Sequence, residues 1–416
     1  MKRITNIILY LFLVACILLS STAKIEGVKI ADALLLMLLI TYFVRFIITN
    51  NLEDIVKKAK YLIKEKYYIL IFFVIAYMFF SVFYSLEKGL ALSESLRFLS
   101  YIVLLIFIAF DLPDYRVIEK IFYIAMVLIT LICLFGIFQH FTGYMLQPEF
   151  ITNYEFGAKN RITSTFENPN LFGAFLVLFF YPILMLAFGD KKKSLKIFSY
   201  IVCTLMLVNI IFTFSRNAWL GLGIGAVVFI ITYEWKAIFA LIIGLLISFK
   251  IPIIGNRLMD FFRADQNASR IKHWTVAKYM IGDHPLFGVG NGNYVSNYDS
   301  YIKKYPQLDY ANLSRFPTHN SYIKIISELG ILGGIPFIIS LLWTVLRFKQ
   351  NLKLVEEPFI KSLFKGFEIS FYSFMIMNIF DNLFFVTRTA IWFWFVFALS
   401  EGIRYNVNRE QKFKHA

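Results

Sequence analysis

The sequence predicts an all-α polytopic membrane protein with about twelve transmembrane helices. Hydrophobic residues make up 59% of the 416-residue chain, charged residues only 17%, and the mean hydropathy is +0.66. A soluble domain carries about 25% charged residues, because its surface must be hydrated. This chain has too few charged residues to cover a water-exposed surface of its size, so a lipid bilayer is the expected environment.

Apolar runs long enough to cross a bilayer, about 20 residues in a helix, recur along the chain. The candidates lie near residues 4–20, 28–48, 67–84, 94–112, 117–139, 169–188, 195–213, 217–233, 235–251, 330–346, 363–383 and 388–404. Lys2 and Arg3 before the first run also resemble the start of a signal peptide, with a cleavage site near Ser21 to Ala23. We expect the first helix to be retained, because its orientation agrees with the spans that follow.

The distribution of basic residues predicts the orientation in the membrane. With the N-terminus inside, four cytoplasmic segments hold eighteen basic residues: Lys57, Lys58, Lys60, Lys64, Lys66, Lys191, Lys192, Lys193, Lys196, Arg347, Lys349, Lys353, Lys361, Lys365, Arg404, Arg409, Lys412 and Lys414. The short outer connections hold only seven: Lys24, Lys29, Lys88, Lys159, Arg161, Arg216 and Arg388. By the positive-inside rule, both termini are expected in the cytoplasm. The net charge of +15 then needs no nucleic-acid partner.

This orientation divides the chain into five regions. They are N-terminal transmembrane helices in 1–160, central transmembrane helices in 161–251, an extracytoplasmic loop with short helices in 252–320, C-terminal transmembrane helices in 321–404 and a cytoplasmic tail in 405–416. Long loops in compact proteins usually carry function. The 252–320 loop is therefore the first place to expect a site.

Three residues on the predicted outer side could carry chemistry. Arg216 lies between two apolar runs, where a charge is costly unless it has a partner or a task, and the alternative is an arginine that snorkels from a helix end. Arg270 shares one face of a predicted loop helix with Trp274. Thr318 is predicted to cap a helix beginning at His319, where the helix dipole would keep the imidazole neutral and able to accept a proton. A structural histidine at a cap is the alternative, and Glu328 points too far round the helix to be its partner.

The orientation brings Arg161, Arg216, Arg270, His319 and Arg388 to one side of the membrane. The planar fork of arginine matches phosphate oxygens, so the set suits a lipid pyrophosphate at the bilayer surface. No Asp-x-Asp pair or carboxylate cluster with metal-ligand spacing occurs in the outer loops, and the three cysteines lie in apolar runs. We therefore expect neither a metal nor another cofactor.

The order of these motifs resembles the O-antigen ligase and O-antigen polymerase family. The resemblance rests on Ser215-Arg216 before a glycine-rich span, Arg270-x-x-x-Trp274 leading to His284-Pro285-Leu286-Phe287-Gly288-Val289-Gly290, and His319-Asn320-Ser321-Tyr322 leading to Glu328-Leu329-Gly330. Phe166-x-Asn168-Pro169-Asn170 and the stretch from Asp381 to Arg388 add to it. It covers residues 160–400, whereas the first 150 residues match only in hydropathy.

The resemblance implies a GT-C type glycosyltransferase fold, a glycan donor on undecaprenyl pyrophosphate and metal-independent transfer with inversion. Arg216 and Arg270 would bind and stabilise the departing pyrophosphate, His319 would take the proton from the acceptor hydroxyl, and Arg388 would support the anion. Further substrate-binding residues are expected among Arg161, Trp274, Asn320 and Tyr322. The lipid bilayer, a glycan or lipid-glycan acceptor and a chain-length regulator are the expected partners.

Two questions remain open at the level of sequence. A ligase passes the glycan to a lipid A core and a polymerase passes it to another lipid-linked repeat; the Ile, Lys, Phe and Asn bias, typical of a low-GC genome, favours the polymerase. The rival class is a lipid-glycan flippase or another transporter. Such a protein should show repeat symmetry and charges at mid-membrane depth, whereas Asp32, Arg45 and Arg97 are nearly the only candidates. A structural subunit of an export complex would leave the arginines and the histidine without a purpose.

Overall fold

The computed structural model describes residues 1–19, 24–25, 28–151, 160–189, 192–259, 268–309 and 314–414. The possible cleavage site at Ser21 to Ala23 lies outside these residues. The described helices are α1 (Lys2–Leu18), α2 (Ile30–Thr49), α3 (Leu52–Lys64), α4 (Lys66–Ser81), α5 (Lys88–Phe110), α6 (Tyr115–Thr142), α7 (Pro169–Gly189), α8 (Lys193–Phe212), α9 (Arg216–Thr232), α10 (Ala237–Lys250), α11 (Pro252–Met259), α12 (Ala268–Asp283), α13 (Tyr294–Lys304), α14 (Ser321–Leu352), α15 (Pro358–Met377) and α16 (Thr387–Lys414). Two short antiparallel strands, β1 (Lys24–Ile25) and β2 (Val28–Lys29), connect α1 and α2.

Each predicted span overlaps one of these helices. In the described part of the chain, six helices are long and apolar enough to cross a membrane, namely α2, α5, α6, α7, α8 and α14, and α4, α9 and α10 are shorter apolar helices. The protein is thus a polytopic, membrane-embedded helical protein. The count of twelve spans and the GT-C architecture stay predictions.

The span predicted at 363–383 extends too far, because α15 ends at Met377. Polar side chains after this point bond to the backbone and form a turn instead of continuing the helix. Asn378 Oδ1 accepts from the backbone N–H of Phe384 at 3.0 Å, and Asp381 Oδ1 accepts from that of Asn382 at 2.8 Å. The connection between α15 and α16 is therefore an ordered loop that carries Asp381.

Helix α7 forms the centre of the bundle and is almost entirely buried. It packs closely against α15, where a Cβ on Gly366 would lie 2.3 Å from Cα of Pro182. Such contact between backbones is typical of helices that associate in membranes through small residues. α7 and α15 together hold the ends of α9 and α14, which carry the candidate site.

Helix α14 is broken at Gly330, whose φ of 61° and ψ of −168° are open only to glycine. The break is filled by the segment Pro285 to Gly290. Val289 N–H donates to Ser327 O at 3.0 Å and Ile331 N–H donates to Pro285 O at 2.9 Å. The segment therefore satisfies backbone groups that the break would leave without bonds.

Candidate functional site

The connection between α8 and α9, residues 213–215, is a strained turn held against α7. Phe214 adopts a left-handed φ of 48°, which is rare for a bulky residue. Ser215 caps α9 by accepting from the backbone N–H of Ala218 at 3.3 Å. A Cβ on Gly173 of α7 would lie 2.6 Å from Cβ of Ala218. The turn and the start of α9 are thus fixed in position.

Two arginines bond to this turn and a third follows it. Arg161 Nε donates to the carbonyl of Thr213 at 3.2 Å, and Arg257 Nε donates to the carbonyl of Phe214 at 3.2 Å. Arg216 is the first residue of α9, where the helix dipole favours negative charge and disfavours a cation. We call Arg161, Arg216, Arg257 and residues 213–215 the arginine turn. Three guanidinium groups beside a helix N-terminus create an anion-attracting surface.

The charges of the arginine turn act on one another. Burial, followed by the positive charges of Arg257 and Arg216, lowers the pKa of Arg161 from 12.5 to about 10. Arg161 still carries a full charge at neutral pH. The negative charge of Glu149 opposes this shift in part. Positive charges gathered in one place attract an anion. The arrangement is therefore suited to a ligand with several negative charges.

His319 and Asp381 form a pair between the start of α14 and the α15–α16 loop. His319 Nδ1 lies 3.4 Å from Asp381 Oδ1. Asp381 is buried, while the side chain of His319 is 30% exposed. A proton on Nδ1 directed at the carboxylate leaves Nε2 as the proton acceptor. This is the geometry of a general base oriented by an acidic residue.

Arg270 and Trp274 lie on α12 beside this pair. Trp274 Nε1 donates to the carbonyl of Thr318 at 3.1 Å, and the guanidinium of Arg270 lies 6.0 Å from the ring of Phe380. The pKa of Arg270 is lowered by burial and by the charge of Arg257, while Asp381 opposes the shift. Arg270 is thus within electrostatic reach of both the arginine turn and the His319–Asp381 pair.

The predicted helix start at His319 is wrong. Helix α14 begins at Ser321, and its cap is Asn320, whose side-chain oxygen accepts from the backbone N–H groups of Tyr322 and Ile323 at 3.0 Å each. His319 has a left-handed φ of 49° and cannot belong to the helix. Thr318 is not the cap, because its Oγ1 lies 3.1 Å from the carbonyl of Asn320. Asp381, rather than a helix dipole, orients the imidazole.

Asn320 and Tyr322, expected to bind substrate, have structural partners in this arrangement. Asn320 caps α14, and the Tyr322 hydroxyl donates to the carbonyl of Met375 at 2.6 Å. The prediction that Glu328 is not the partner of His319 agrees with the structure. Its carboxylate accepts from the backbone N–H of Gly292 at 2.9 Å and pairs with Lys324.

Arg388, expected to support the departing anion, is bonded within the protein. Its side chain is buried, and its guanidinium donates to the carbonyls of Cys16 at 3.1 Å and Thr165 at 2.6 Å and also to that of Ile17. Its Cζ lies 3.4 Å from the ring centre of Phe166. Each of its three nitrogen atoms has an acceptor within the protein. Arg388 therefore connects α16 to α1 and to the segment before α7.

Sequence reasoning missed two residues of this site. Asp381 contributes to the sequence analysis only as one end of the stretch from Asp381 to Arg388, because its pairing with a residue 62 positions away leaves no local signal. Arg257 was not noted, although it follows an apolar run in the same way as Arg216. The cost of a charge beside a membrane span is the argument that could have found it.

Comparison with known proteins finds a family match over the region that carries the site. Residues 201–338 match the family model described as O-antigen ligase, a range that includes Arg216, Arg257, Arg270 and His319. A Rickettsia conorii protein named "putative polysaccharide ligase" is 27% identical over 202 residues, 46% of this chain and 47% of the relative. Teichuronic acid biosynthesis protein TuaE of Bacillus subtilis is 25% identical over 346 residues, 76% of this chain and 69% of the relative.

A third relative extends the same pattern. The O-antigen ligase of Salmonella typhimurium is 26% identical over 169 residues, 38% of this chain and 41% of the relative. The chain thus spans about half the length of the Rickettsia and Salmonella relatives that it matches, and more than two thirds of the Bacillus relative.

Proposed function

We infer that the chain belongs to the O-antigen ligase and polymerase family, which the family match and the relatives support. We propose that it transfers a glycan from undecaprenyl pyrophosphate to an acceptor hydroxyl at the outer face of the cytoplasmic membrane. The observation that carries the proposal is the His319–Asp381 pair beside Arg270 and the arginine turn. A base and an anion-binding surface next to each other are what this reaction requires.

The proposed reaction is a direct displacement at the anomeric carbon. His319 Nε2 takes the proton of the acceptor hydroxyl while its oxygen forms the new bond to the anomeric carbon. The bond from that carbon to the phosphate oxygen breaks, and its electron pair stays on the pyrophosphate. Attack opposite the leaving group inverts the anomeric configuration. Asp381 stabilises the imidazolium that forms.

The arginines assist the departure of the pyrophosphate leaving group. Arg216, Arg270 and Arg161 would donate hydrogen bonds to the pyrophosphate oxygens and stabilise the charge that develops as the sugar departs. Fixed guanidinium groups in a partly buried site need no reorganisation at that moment. The transfer is therefore proposed to proceed without a metal ion.

The test uses full-length protein in detergent with a labelled lipid-pyrophosphate oligosaccharide. We expect release of undecaprenyl pyrophosphate and glycan transfer in the presence of excess chelator, and loss of both in His319→Ala. Activity that disappears with chelator and returns with magnesium would contradict the metal-free mechanism. Movement of the intact donor from one leaflet of a liposome membrane to the other, without release of undecaprenyl pyrophosphate, would instead favour the rival flippase function.

The acceptor is proposed to be another lipid-linked repeat, as in a polysaccharide polymerase. The Ile, Lys, Phe and Asn bias, typical of a low-GC genome, favours this acceptor over a lipid A core. The alignment of most of the chain with a relative named for teichuronic acid biosynthesis favours it too. In the same assay a polymerase yields a ladder of longer lipid-linked products. A single addition to a supplied acceptor, with no ladder, would favour ligation.

The outer location of the site is tested separately by labelling in intact cells. Lys278 on α12 and Lys57 on α3 are both exposed, and the three native cysteines are buried. A membrane-impermeant maleimide should react with Lys278→Cys and not with Lys57→Cys. The reverse pattern would place the site in the cytoplasm and contradict the proposed reaction.

A further inference from the structure

Arg257 is an unpredicted arginine in the middle of the candidate site. It lies on α11, half-buried, and its Nε donates to the carbonyl of Phe214, two residues before Arg216. The reaction steps proposed above give Arg257 no contact of its own with the substrate. Its surroundings differ from those of an arginine that merely snorkels from a helix end, because backbone and charge neighbours fix where its guanidinium lies.

The arginine turn holds Arg257 and Arg161 in matching ways. Thr213 and Phe214 are consecutive, and each carbonyl accepts from the Nε of one arginine at 3.2 Å. The left-handed φ of Phe214 is part of the turn that offers both carbonyls. A hydrogen bond at Nε orients the guanidinium group, so the edge formed by Nη1 and Nη2 points in a fixed direction. This edge is the one that forms bidentate bonds to phosphate.

Electrostatics couples Arg257 to both halves of the site. Its charge lowers the pKa of Arg161 in the arginine turn and also that of Arg270 beside Asp381. A cation that repels both Arg161 and Arg270 favours a ligand whose negative charge is spread over more than one group.

We propose that Arg257 is a donor-binding residue that links the arginine turn with Arg270 by contacting the pyrophosphate between them. This inference rests on the proposed function, because it assigns Arg257 to the donor of that reaction. Arg257 then contributes to binding of the ground-state donor as well as of the departing pyrophosphate. The acceptor lies on the side of His319, so its binding should not depend on Arg257.

The experiment compares Arg257→Ala and Arg257→Lys with Asn256→Ala, a change at the exposed neighbour on the same helix. Full-length protein in detergent is assayed for binding of undecaprenyl pyrophosphate, for the KM of donor and acceptor, and for thermal stability. We expect Arg257→Ala to raise the Kd for undecaprenyl pyrophosphate and the donor KM about tenfold or more, with the acceptor KM unchanged. Arg257→Lys should be intermediate, and Asn256→Ala should match the wild type.

The outcomes separate this inference from the proposed function. If Arg257→Ala lowers the melting temperature but leaves both the Kd and the donor KM as in the wild type, Arg257 only fastens α11 and the inference is wrong. If the wild type transfers glycan but Arg257 variants bind the carrier normally, the function stands without Arg257. A wild type that binds undecaprenyl pyrophosphate through Arg257 but transfers nothing would remove the proposed reaction and leave the binding role.

Discussion

His319 Nδ1 and Asp381 Oδ1 lie 3.4 Å apart, although the two residues are separated by 62 positions and belong to different loops. The carboxylate also accepts from the backbone N–H of Asn382 at 2.8 Å, which fixes its orientation. Asp381 therefore determines which nitrogen of the imidazole carries the proton. This relationship makes the function of Asp381 testable apart from that of His319.

Asp381→Asn should lower kcat while leaving the fold intact. The amide can donate to Nδ1 and so favour the tautomer in which Nε2 carries the proton and cannot accept one. We expect kcat to fall roughly 100-fold or more, with little change in donor KM. Asp283→Asn, which alters a surface pair with Tyr301 and Lys304, is the matched control. Equal kcat in Asp381→Asn and wild type would remove the pair from the mechanism.

Arg216→Lys should lose most turnover even though the positive charge is kept. Lysine has a single ammonium in place of the planar fork, so it cannot hold two phosphate oxygens in one geometry. We expect kcat/KM to fall roughly 10- to 100-fold. Arg315→Lys is the control, because Arg315 is exposed and pairs with Glu87 at the surface. Transfer kinetics of both variants decide the point, and normal activity of Arg216→Lys would exclude bidentate binding.

Gly330→Ala should destabilise the protein. Gly330 has a conformation open only to glycine, and a Cβ there would lie 2.2 Å from the carbonyl oxygen of Leu286. Strain alone is expected to cost about 1–3 kcal/mol, and displacement of the segment Pro285 to Gly290 adds to it. Gly282→Ala, where a Cβ meets nothing within 4 Å, is the control. Thermal unfolding in detergent measures the difference; similar melting temperatures would show that the break in α14 is not fixed.

Arg388→Lys should reduce stability rather than donor affinity. The guanidinium bonds to acceptors on α1 and on the segment before α7, and lysine cannot reach all of them. We expect a loss of roughly 3–5 kcal/mol, as for a broken buried polar network. Molecules that remain folded should keep the wild-type donor KM. A stable variant with a raised donor KM would restore the expected anion-binding role of Arg388.

The stability of the α12–α14 region should depend on pH through His273. Burial, with the nearby His319 and Lys272, lowers the pKa of this imidazole from 6.5 to about 4. Between these values the unfolded chain binds a proton that the folded chain does not, so stability falls as the pH decreases from 6.5 towards 4. At pH 5 the expected loss is about 2 kcal/mol relative to pH 7.

His273→Phe provides the comparison for this pH dependence. The phenyl ring can keep the packing against Phe316, whose ring centre lies 4.5 Å from that of His273, but it does not titrate. The melting temperature of the variant should change less between pH 7 and pH 5 than that of the wild type. Identical changes in both proteins would show that His273 does not carry the effect.

The helical membrane class and the approximate position of each helix could be predicted from the chain alone. These features depend on hydropathy and on charge between apolar runs, which are local properties of the chain. The overlap of each predicted span with a helix follows from that local information.

Which polar groups meet could be seen only once the helices were packed together. Arg161 and Arg257 bond to adjacent carbonyls of one turn, and His319 faces Asp381. Arg388 donates to carbonyls on α1 and on the segment before α7. The physical reason is that hydrogen bonds and ion pairs act over a few ångströms and join positions far apart in the chain. Hydropathy can place a charged residue at a membrane surface, but packing of the helices decides whether it faces a ligand or a backbone carbonyl.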